Sequence, residues 1–415
     1  MSAVDTTTSE TTGVPSTSGT PGGADPQHEI VTVGLISVLG RTGRFVAGAV
    51  GALWALLVRT VRNIAAFCEN WLLDGKKAPH GLAVTRIMFG LAGLGILFSN
   101  WSTRLYSMGP GSLWNGQWAA PTSDFPKIWL FSLFRTVMPN AALYTAAYLL
   151  VVVLAVLFTL GWRFKIVLPI YFCLWVSLIE SQDALGDQGD NMYRIALILL
   201  FFADPCQRWA LDARRRRRAA AKMDGEAGAA AKARGAVKAS GATSGSGFGG
   251  WARATLAGRP LLESGPGYQS LFHNLALVAL TAQVCFVYAS GALYKAGGAP
   301  WQHGNAVYAP LQTVQFGTWP ELSDLVTALG PSVTVAAWGS IIIQMCFPMM
   351  LLTHPTRVIA LIGIMGFHIG IAVLMGLPWF SLTMIAIDFV FITERTWLNA
   401  IANTKALWAR AGVRA

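Results

Sequence analysis

The sequence predicts an all-α integral membrane protein: a polytopic bundle of about eight transmembrane helices, with both termini cytoplasmic and an interfacial helix near the N-terminus. Of the 415 residues, 54% are apolar and 12% are charged, whereas soluble domains carry about a quarter charged residues. The charges gather in a few loops, which leaves several apolar runs near the ~20 residues that a helix needs to cross a bilayer. A soluble protein would have to bury too many such runs at once.

The N-terminal region precedes the predicted bundle. Residues 1–29 are rich in Ser, Thr, Gly and Pro, which predicts a disordered tail. The first apolar run lies too far from the N-terminus for a cleavable signal peptide. Residues 30–77 contain the fourteen-residue apolar stretch 45–58, flanked by arginines. This pattern favours an amphipathic helix lying in the membrane interface, and a tilted additional span stays open as the alternative.

Residues 78–395 form the predicted membrane domain. Its predicted spans are residues 80–100, 139–161, 164–183, 191–210, 271–294, 331–353, 356–376 and 378–394. Between the fourth and fifth spans, residues 211–270 are basic and end in a Gly and Ser-rich stretch, which predicts a flexible cytoplasmic loop. Residues 396–415 are predicted to form a cytoplasmic tail.

Basic residues predict the orientation of the bundle. They precede the first span, separate the second from the third and the sixth from the seventh, and follow the fourth and eighth. The positive-inside rule places all these positions in the cytoplasm. On the opposite side, residues 296–330 carry only Glu321 and Asp324 as charged residues. Residues 101–138 fit this pattern less well. The orientation places Lys295 on the exterior side of the plasma membrane.

The net charge of +11 does not predict a nucleic-acid partner. Most of it comes from residues 211–260, directly after a predicted span, and such a block is typical of a cytoplasmic loop beside the lipid bilayer. The five cysteines show no CxxC spacing, so neither a disulfide framework nor a metal site is predicted. The oligomeric state is left open.

Ionisable residues inside membrane spans are costly and are therefore candidate functional residues. Asp190 opens the fourth span, where an N-cap role is favoured, although a capping carboxylate can also point into an outer cavity. Asp388 lies ~15 Å below the outer end of the eighth span at 1.5 Å per residue; we expect it to pair with an arginine or to stay protonated. Arg86 and Arg194 lie near helix ends, where arginine can reach the headgroups, and a structural role is favoured for both.

His368 lies in the middle of the seventh span, among glycines at positions 363, 366, 370 and 376. A lone histidine on an apolar helix is often a neutral hydrogen-bonding residue, and small residues often serve close helix packing. The glycines could also make room for a flat ring beside the imidazole. Both interpretations stay open.

Lys295 ends the fifth span. At 100° per residue, Tyr288, Gly291 and Lys295 fall on one narrow face of a helix. A boundary lysine often extends outward to the headgroups, but such cations belong mainly on the cytoplasmic side. A lysine amine removed from water can act as a base near neutral pH, so Lys295 is the leading candidate for chemistry.

A family resemblance rests on a string of residues around this lysine. The string comprises Gln283, Tyr288, Gly291, Lys295, Trp301, Gly304, Ala306 and Tyr308. It resembles the horizontally transferred transmembrane (HTTM) domain that vitamin K-dependent gamma-carboxylases share with bacterial sporulation-delaying protein B-like proteins. Residues 82–98 and 189–202 and the pair Phe367-His368 add to the likeness. It covers roughly residues 78–395.

The resemblance implies that Lys295 is the base that deprotonates a reduced quinone of the vitamin K type on the exterior side, with His368 as a partner near the quinone. Tyr288, Gly291, Tyr294, Trp301, Asp190 and Asp388 are the other candidate pocket residues. Tyr294 stands where the carboxylase pattern has a first lysine. Residues 396–415 alone follow the last predicted span, so a small secreted peptide is a more suitable expected substrate than a large protein.

Two further functions stay open at this stage. The same bundle could be a non-enzymatic assembly, immunity or export factor, in which Lys295 binds a phosphate headgroup or an acidic peptide. In that case Arg should replace Lys295, whereas a base cannot be replaced by a guanidinium that keeps its proton. A transporter would require broken helices and polar clusters in the middle of the membrane, and the scattered ionisable residues do not favour it.

Overall fold

The computed structural model describes residues 26–107, 109–111, 128–181, 186–238 and 266–410, and these residues are mostly helical, with no β-strand among them. The chain forms two compact units, residues 1–70 and 71–415. Most of the predicted disordered tail, up to residue 25, lies outside the described residues, as does the Gly and Ser-rich part of the predicted loop.

The described residues of the first unit belong to one long helix, α1 (Pro26–Leu73), whose last turn lies in the second unit. Its part Phe45–Leu73 is 29 residues long and apolar enough to cross a membrane. Most of the large apolar side chains of this part are exposed, with Trp54 at 67%. The predicted interfacial helix is therefore not confirmed, because the arginines at 59 and 62 do not end the helix and the whole segment reaches the length of a span.

All eight predicted spans are helices in the second unit. These are α2 (Pro79–Ser99), α3 (Ala141–Leu160), α4 (Phe164–Glu180), α5 (Gln188–Phe202), α7 (Pro266–Ala296), α8 (Gly330–Met350), α9 (His354–Leu374) and α10 (Pro378–Asp388). Five of them, α2, α3, α7, α8 and α9, are long and apolar enough to cross a membrane, which with α1 makes six in the described residues. Because α4, α5 and α10 have only 17, 15 and 11 residues, the count of eight spans is not confirmed.

Local sequence explains where several helices begin and end. The side chain of Asn140 accepts hydrogen bonds from the amides of Ala142 and Leu143 and so caps α3. Gly161, at φ 64°, ends α3 in the left-handed conformation that glycine adopts without strain. Helices α2, α8, α9 and α10 each have a proline in the first turn, where the missing N–H costs no hydrogen bond.

The basic segment after α5 differs from the prediction. It forms a helix, α6 (Leu211–Lys238), rather than a flexible loop over these residues. Ala, Arg and Lys dominate it, and these residues have high helix propensity. The predicted C-terminal tail is likewise helical, since α11 covers Glu394–Arg410.

Helix α2 lies at the centre of the second unit, where it packs against α3 on one side and α10 on another. A Cβ on Gly90 would lie 2.0 Å from Oγ1 of Thr159 in α3, and one on Gly95 would lie 2.2 Å from the Trp379 ring in α10. Small residues thus allow close contacts on both sides. The outer faces of α7 and α9 expose Phe286 and Ile362 at 70% and 69%, as expected of helices that contact lipid.

Candidate functional site

Lys295 is turned inward, toward the middle of the bundle. Helices α7 and α8 run antiparallel: the ring of Tyr288 packs on that of Phe347 at 4.9 Å, and a Cβ on Gly291 would lie 4.0 Å from Oε1 of Gln344. Lys295 lies one turn beyond Gly291, yet its Nζ donates a hydrogen bond to the same Oε1 at 2.8 Å. The side chain therefore folds back along its own helix past Gly291, as side chains on a helix tend to do. An outward-reaching boundary lysine does not fit this geometry.

The Lys295 amine lies between two aromatic rings. Its Nζ is 5.0 Å from the centroid of the Trp301 ring and 4.7 Å from that of Phe367. Both distances are within the range of cation–π attraction. No carboxylate of a described residue forms an ion pair with this amine. Its polar partner is the neutral carbonyl of Gln344.

Lys295 and these rings line a cleft of about 550 Å³, which we call the lysine cleft. Its walls come from the end of α7, the segment 301–311, and one face each of α8 and α9. Lys295 is the only ionisable residue among the residues that line it, and most of the others are apolar. Cavities of roughly 300–1,000 Å³ with apolar walls and few polar groups are typical of small-molecule sites.

Glycines of α9 open the lysine cleft. Gly363, Gly366 and Gly370 line it together with Phe367, and a Cβ on Gly366 or Gly370 would meet nothing within 4 Å. These glycines therefore leave space for a flat ring, but the space adjoins the side chain of Phe367 rather than the His368 imidazole. His368 is not among the residues that line the cleft.

His368, Tyr288 and Asp388 form a separate buried cluster, exposed by 2%, 1% and 0%. The Tyr288 hydroxyl donates a hydrogen bond to Oδ2 of Asp388 at 3.1 Å, and the His368 ring lies 5.8 Å from the Tyr288 ring. Neither His368 nitrogen has a hydrogen-bond partner among the described residues, and neither does Oδ1 of Asp388. Of the two expectations for Asp388, the arginine partner is not found among the described residues; Tyr288 from α7 is its hydrogen-bond partner instead.

Gly291 and Trp301 lie beside Lys295, whereas Tyr294 and Asp190 do not line the lysine cleft. Tyr294 is 86% exposed. Asp190 lines a second cavity of about 440 Å³, between α2, α5 and the start of α10. The predicted N-cap role of Asp190 is wrong in position: Asp187 is the N-cap residue, and Asp190, three residues later, accepts a hydrogen bond from the Asp187 amide in a capping box.

Several important polar residues were missed or misjudged in the sequence. Gln344, the partner of Lys295, lies in the apolar stretch IIIQMCF. A lone amide inside a membrane span is costly, so the sequence could have marked Gln344 as a candidate site residue. Arg86 does not reach the headgroups: it is fully buried and donates to the carbonyl of Trp209 at 2.7 Å. Arg194 has the expected structural role, since it forms an ion pair with Glu180 at 2.6 Å.

Comparison with protein-family models, with curated proteins and with solved structures finds no match for this chain. Among the described residues, no group of three or more His, Cys, Asp or Glu side chains is placed to hold a metal ion. The geometry of the lysine cleft is therefore the structural basis for a functional proposal.

Proposed function

We propose that this protein binds a flat, lipophilic ring compound with an acidic hydroxyl, of the reduced-quinone type, in the lysine cleft, and that Lys295 accepts its proton. The observation that carries the proposal is the inward-turned amine, held by a neutral carbonyl at 2.8 Å beside an apolar cleft. A reduced quinone supplies an acidic hydroxyl and a ring that can subsequently be oxidised.

The residues of the lysine cleft fit such a compound. The bare backbone at Gly366 and Gly370 leaves space for a flat ring, and the rings of Trp301 and Phe367 offer surfaces on which it can stack. The Lys295 amine is the single ionisable group in this mostly apolar lining. These features would place a ring hydroxyl at that amine and the rest of the compound against apolar walls.

The surroundings of Lys295 suit a group that gains a proton. Gln344 accepts one N–H of the amine and carries no charge, so it orients a neutral amine as well as a charged one. When Lys295 takes the hydroxyl proton, Nζ becomes an ammonium ion. The faces of the Trp301 and Phe367 rings then stabilise the new charge, by about 0.5–2 kcal/mol for such contacts in general. His368 touches Phe367, with ring centroids 5.0 Å apart, and we assign it a positioning role through that ring.

We further propose the cellular setting from the resemblance to HTTM proteins: a bacterial plasma membrane, Lys295 on the exterior side, and a small secreted peptide as substrate of the modification. The distribution of charge supports this orientation. Asp204 forms an ion pair with Lys76, and its amide donates to His273 near the start of α7. His273 comes 22 residues before Lys295, or about 33 Å along the helix at 1.5 Å per residue. The basic residues there would face the cytoplasm.

A second function is favoured by one observation, the two aromatic rings around the amine. These contacts also stabilise a permanent cation, and a permanently charged Lys295 would bind an anionic headgroup or an acidic peptide without chemistry. The protein would then be an assembly, immunity or export factor. The two functions differ in whether the amine must lose its proton.

Filling the cleft tests the binding step. Gly366→Leu should extend a side chain into the lysine cleft and weaken the binding of a short-chain naphthoquinone by tenfold or more, because the ring and the new side chain compete for one space. Binding would be measured by quenching of tryptophan fluorescence in the purified protein. Gly225→Leu, at another glycine with nothing within 4 Å and outside the cleft, is the matched control. Equal affinity of both variants and the wild type would refute the site.

A further inference from the structure

Five consecutive arginines, residues 214–218, lie at the start of α6. This arginine run is held beside the turn between α3 and α4. The carboxylate of Asp212, only 6% exposed, accepts hydrogen bonds from the amides of Arg163 and Phe164 at 3.0 and 2.9 Å. The Asp212 amide in turn donates to the carbonyl of Gly161 at 3.0 Å. One residue thus caps α4 and fastens the first turn of α6 to the end of the bundle.

Two of the five arginines strengthen this attachment. Arg215 forms an ion pair with Asp212 at 3.2 Å, and Arg216 donates to the carbonyl of Cys206 at 2.5 Å. The other three, Arg214, Arg217 and Arg218, are exposed and form no ion pair with a described residue. Their spacing of i, i+3 and i+4 puts them on one face of the helix. We call these three the arginine face.

The surroundings place the arginine face at the depth of lipid headgroups. The turn to which α6 is fastened follows α3, a helix long enough to cross a membrane. Trp162 in this turn and Trp209 just before α6 are 40% and 48% exposed, and tryptophan is enriched where the bilayer meets water. The Arg163 guanidinium lies over the Trp162 ring, 5.4 Å from its centroid.

We propose that the arginine face binds the phosphate headgroups of anionic phospholipids. Each guanidinium presents a planar fork of N–H donors that matches the oxygens of a phosphate group. Three such groups on one face, held next to interfacial tryptophans and without carboxylate partners, form a surface of strong positive charge. Clusters of basic residues next to a membrane helix attract anionic lipids in this way. This surface is independent of the lysine cleft.

The test compares two triple variants that remove the same charge. Native mass spectrometry of the purified full-length protein would count bound phosphatidylglycerol against phosphatidylcholine. Replacing Arg214, Arg217 and Arg218 by Gln should lower phosphatidylglycerol affinity by about tenfold or more and leave phosphatidylcholine unchanged. Arg395, Lys405 and Arg410, exposed on α11, are replaced by Gln in the control, which should keep the affinity of the wild type.

A further variant separates a specific surface from a loss of folding or of net charge. Changing the arginine face to lysines keeps three charges and the helix, and it should retain most of the phosphatidylglycerol binding. The proposal is overturned if the control triple variant loses as much affinity as the arginine-face variant, or if the arginine-face variant binds phosphatidylglycerol like the wild type. Loss of binding in the lysine variant together with loss of helical circular dichroism would attribute the effect to folding and also overturn it.

Discussion

Lys295→Arg is expected to slow proton abstraction from a ring hydroxyl by about 10²–10⁴-fold, the usual contribution of a positioned general base. A guanidinium keeps its proton at any physiological pH, so it cannot accept another, although it preserves the positive charge. Lys295→Gln should cause a loss of similar size, because an amide is not a base in this range either. The rate would be followed anaerobically as ionisation of the hydroxyl of a reduced short-chain naphthoquinone added to purified protein.

The comparison of these two variants distinguishes the two proposed functions. Lys405→Arg, at an exposed lysine on α11, controls for the exchange itself and should behave as the wild type. If Lys295→Arg were fully active in ligand binding and function while Lys295→Gln were inactive, the base role would be wrong and the permanent-cation role would hold. Gln344→Leu should give a smaller loss than either, since it removes the acceptor that orients the amine but leaves the amine itself.

Arg86→Ala is expected to have the largest effect on stability, on the order of 3 kcal/mol. The guanidinium is fully buried and donates to the carbonyl of Trp209 at 2.7 Å, and Trp209 itself has φ 46°. This backbone conformation is costly for a tryptophan and needs support from its surroundings. Truncation would leave the carbonyl without its donor and open a cavity between α2 and the start of α6.

Thermal unfolding in detergent measures this effect. Arg86→Met, which restores most of the volume without the donor, should be less destabilising than Arg86→Ala, and Arg410→Ala at an exposed position should not change the midpoint. Gly161→Ala should also lower the unfolding midpoint, because the new Cβ would lie 1.8 Å from an Nη atom of Arg86 and displace the buried guanidinium. An unchanged midpoint for Arg86→Ala would show that the buried guanidinium does not hold this junction.

The positions of the helices could be predicted because apolar runs and turn residues mark them directly. Each predicted span coincides with a helix, and Gly161 and the prolines in the first turns of α8, α9 and α10 mark ends that the sequence displays. The number of spans could not be predicted in this way. Apolar residues continue past the end of α10, and only the structure shows that this helix stops after 11 residues. Helix α5 stops after 15 residues, just before Asp204 and Pro205, although the predicted span continued to residue 210.

The side-chain geometry of the site was less predictable. Helical spacing put Tyr288, Gly291 and Lys295 on one face, and the structure agrees that all three face α8. The direction of the lysine depends on Gln344, which is 49 residues away in sequence. The partner of Asp388 is likewise a tyrosine on a distant helix. Such contacts depend on the register between helices, about which a single sequence gives little information.

Photo-cross-linking tests the central proposal, a ring-binding site beside Lys295, most directly. An azido-substituted short-chain naphthoquinone would be irradiated with the purified protein, and the labelled peptides identified by mass spectrometry. We expect label on residues 301–311, 335–343 or 363–375, which line the lysine cleft, and we expect excess unlabelled naphthoquinone and Gly366→Leu to remove it. Label confined to α3, α4 and α5, or label at the cleft that neither treatment reduces, would contradict the proposal.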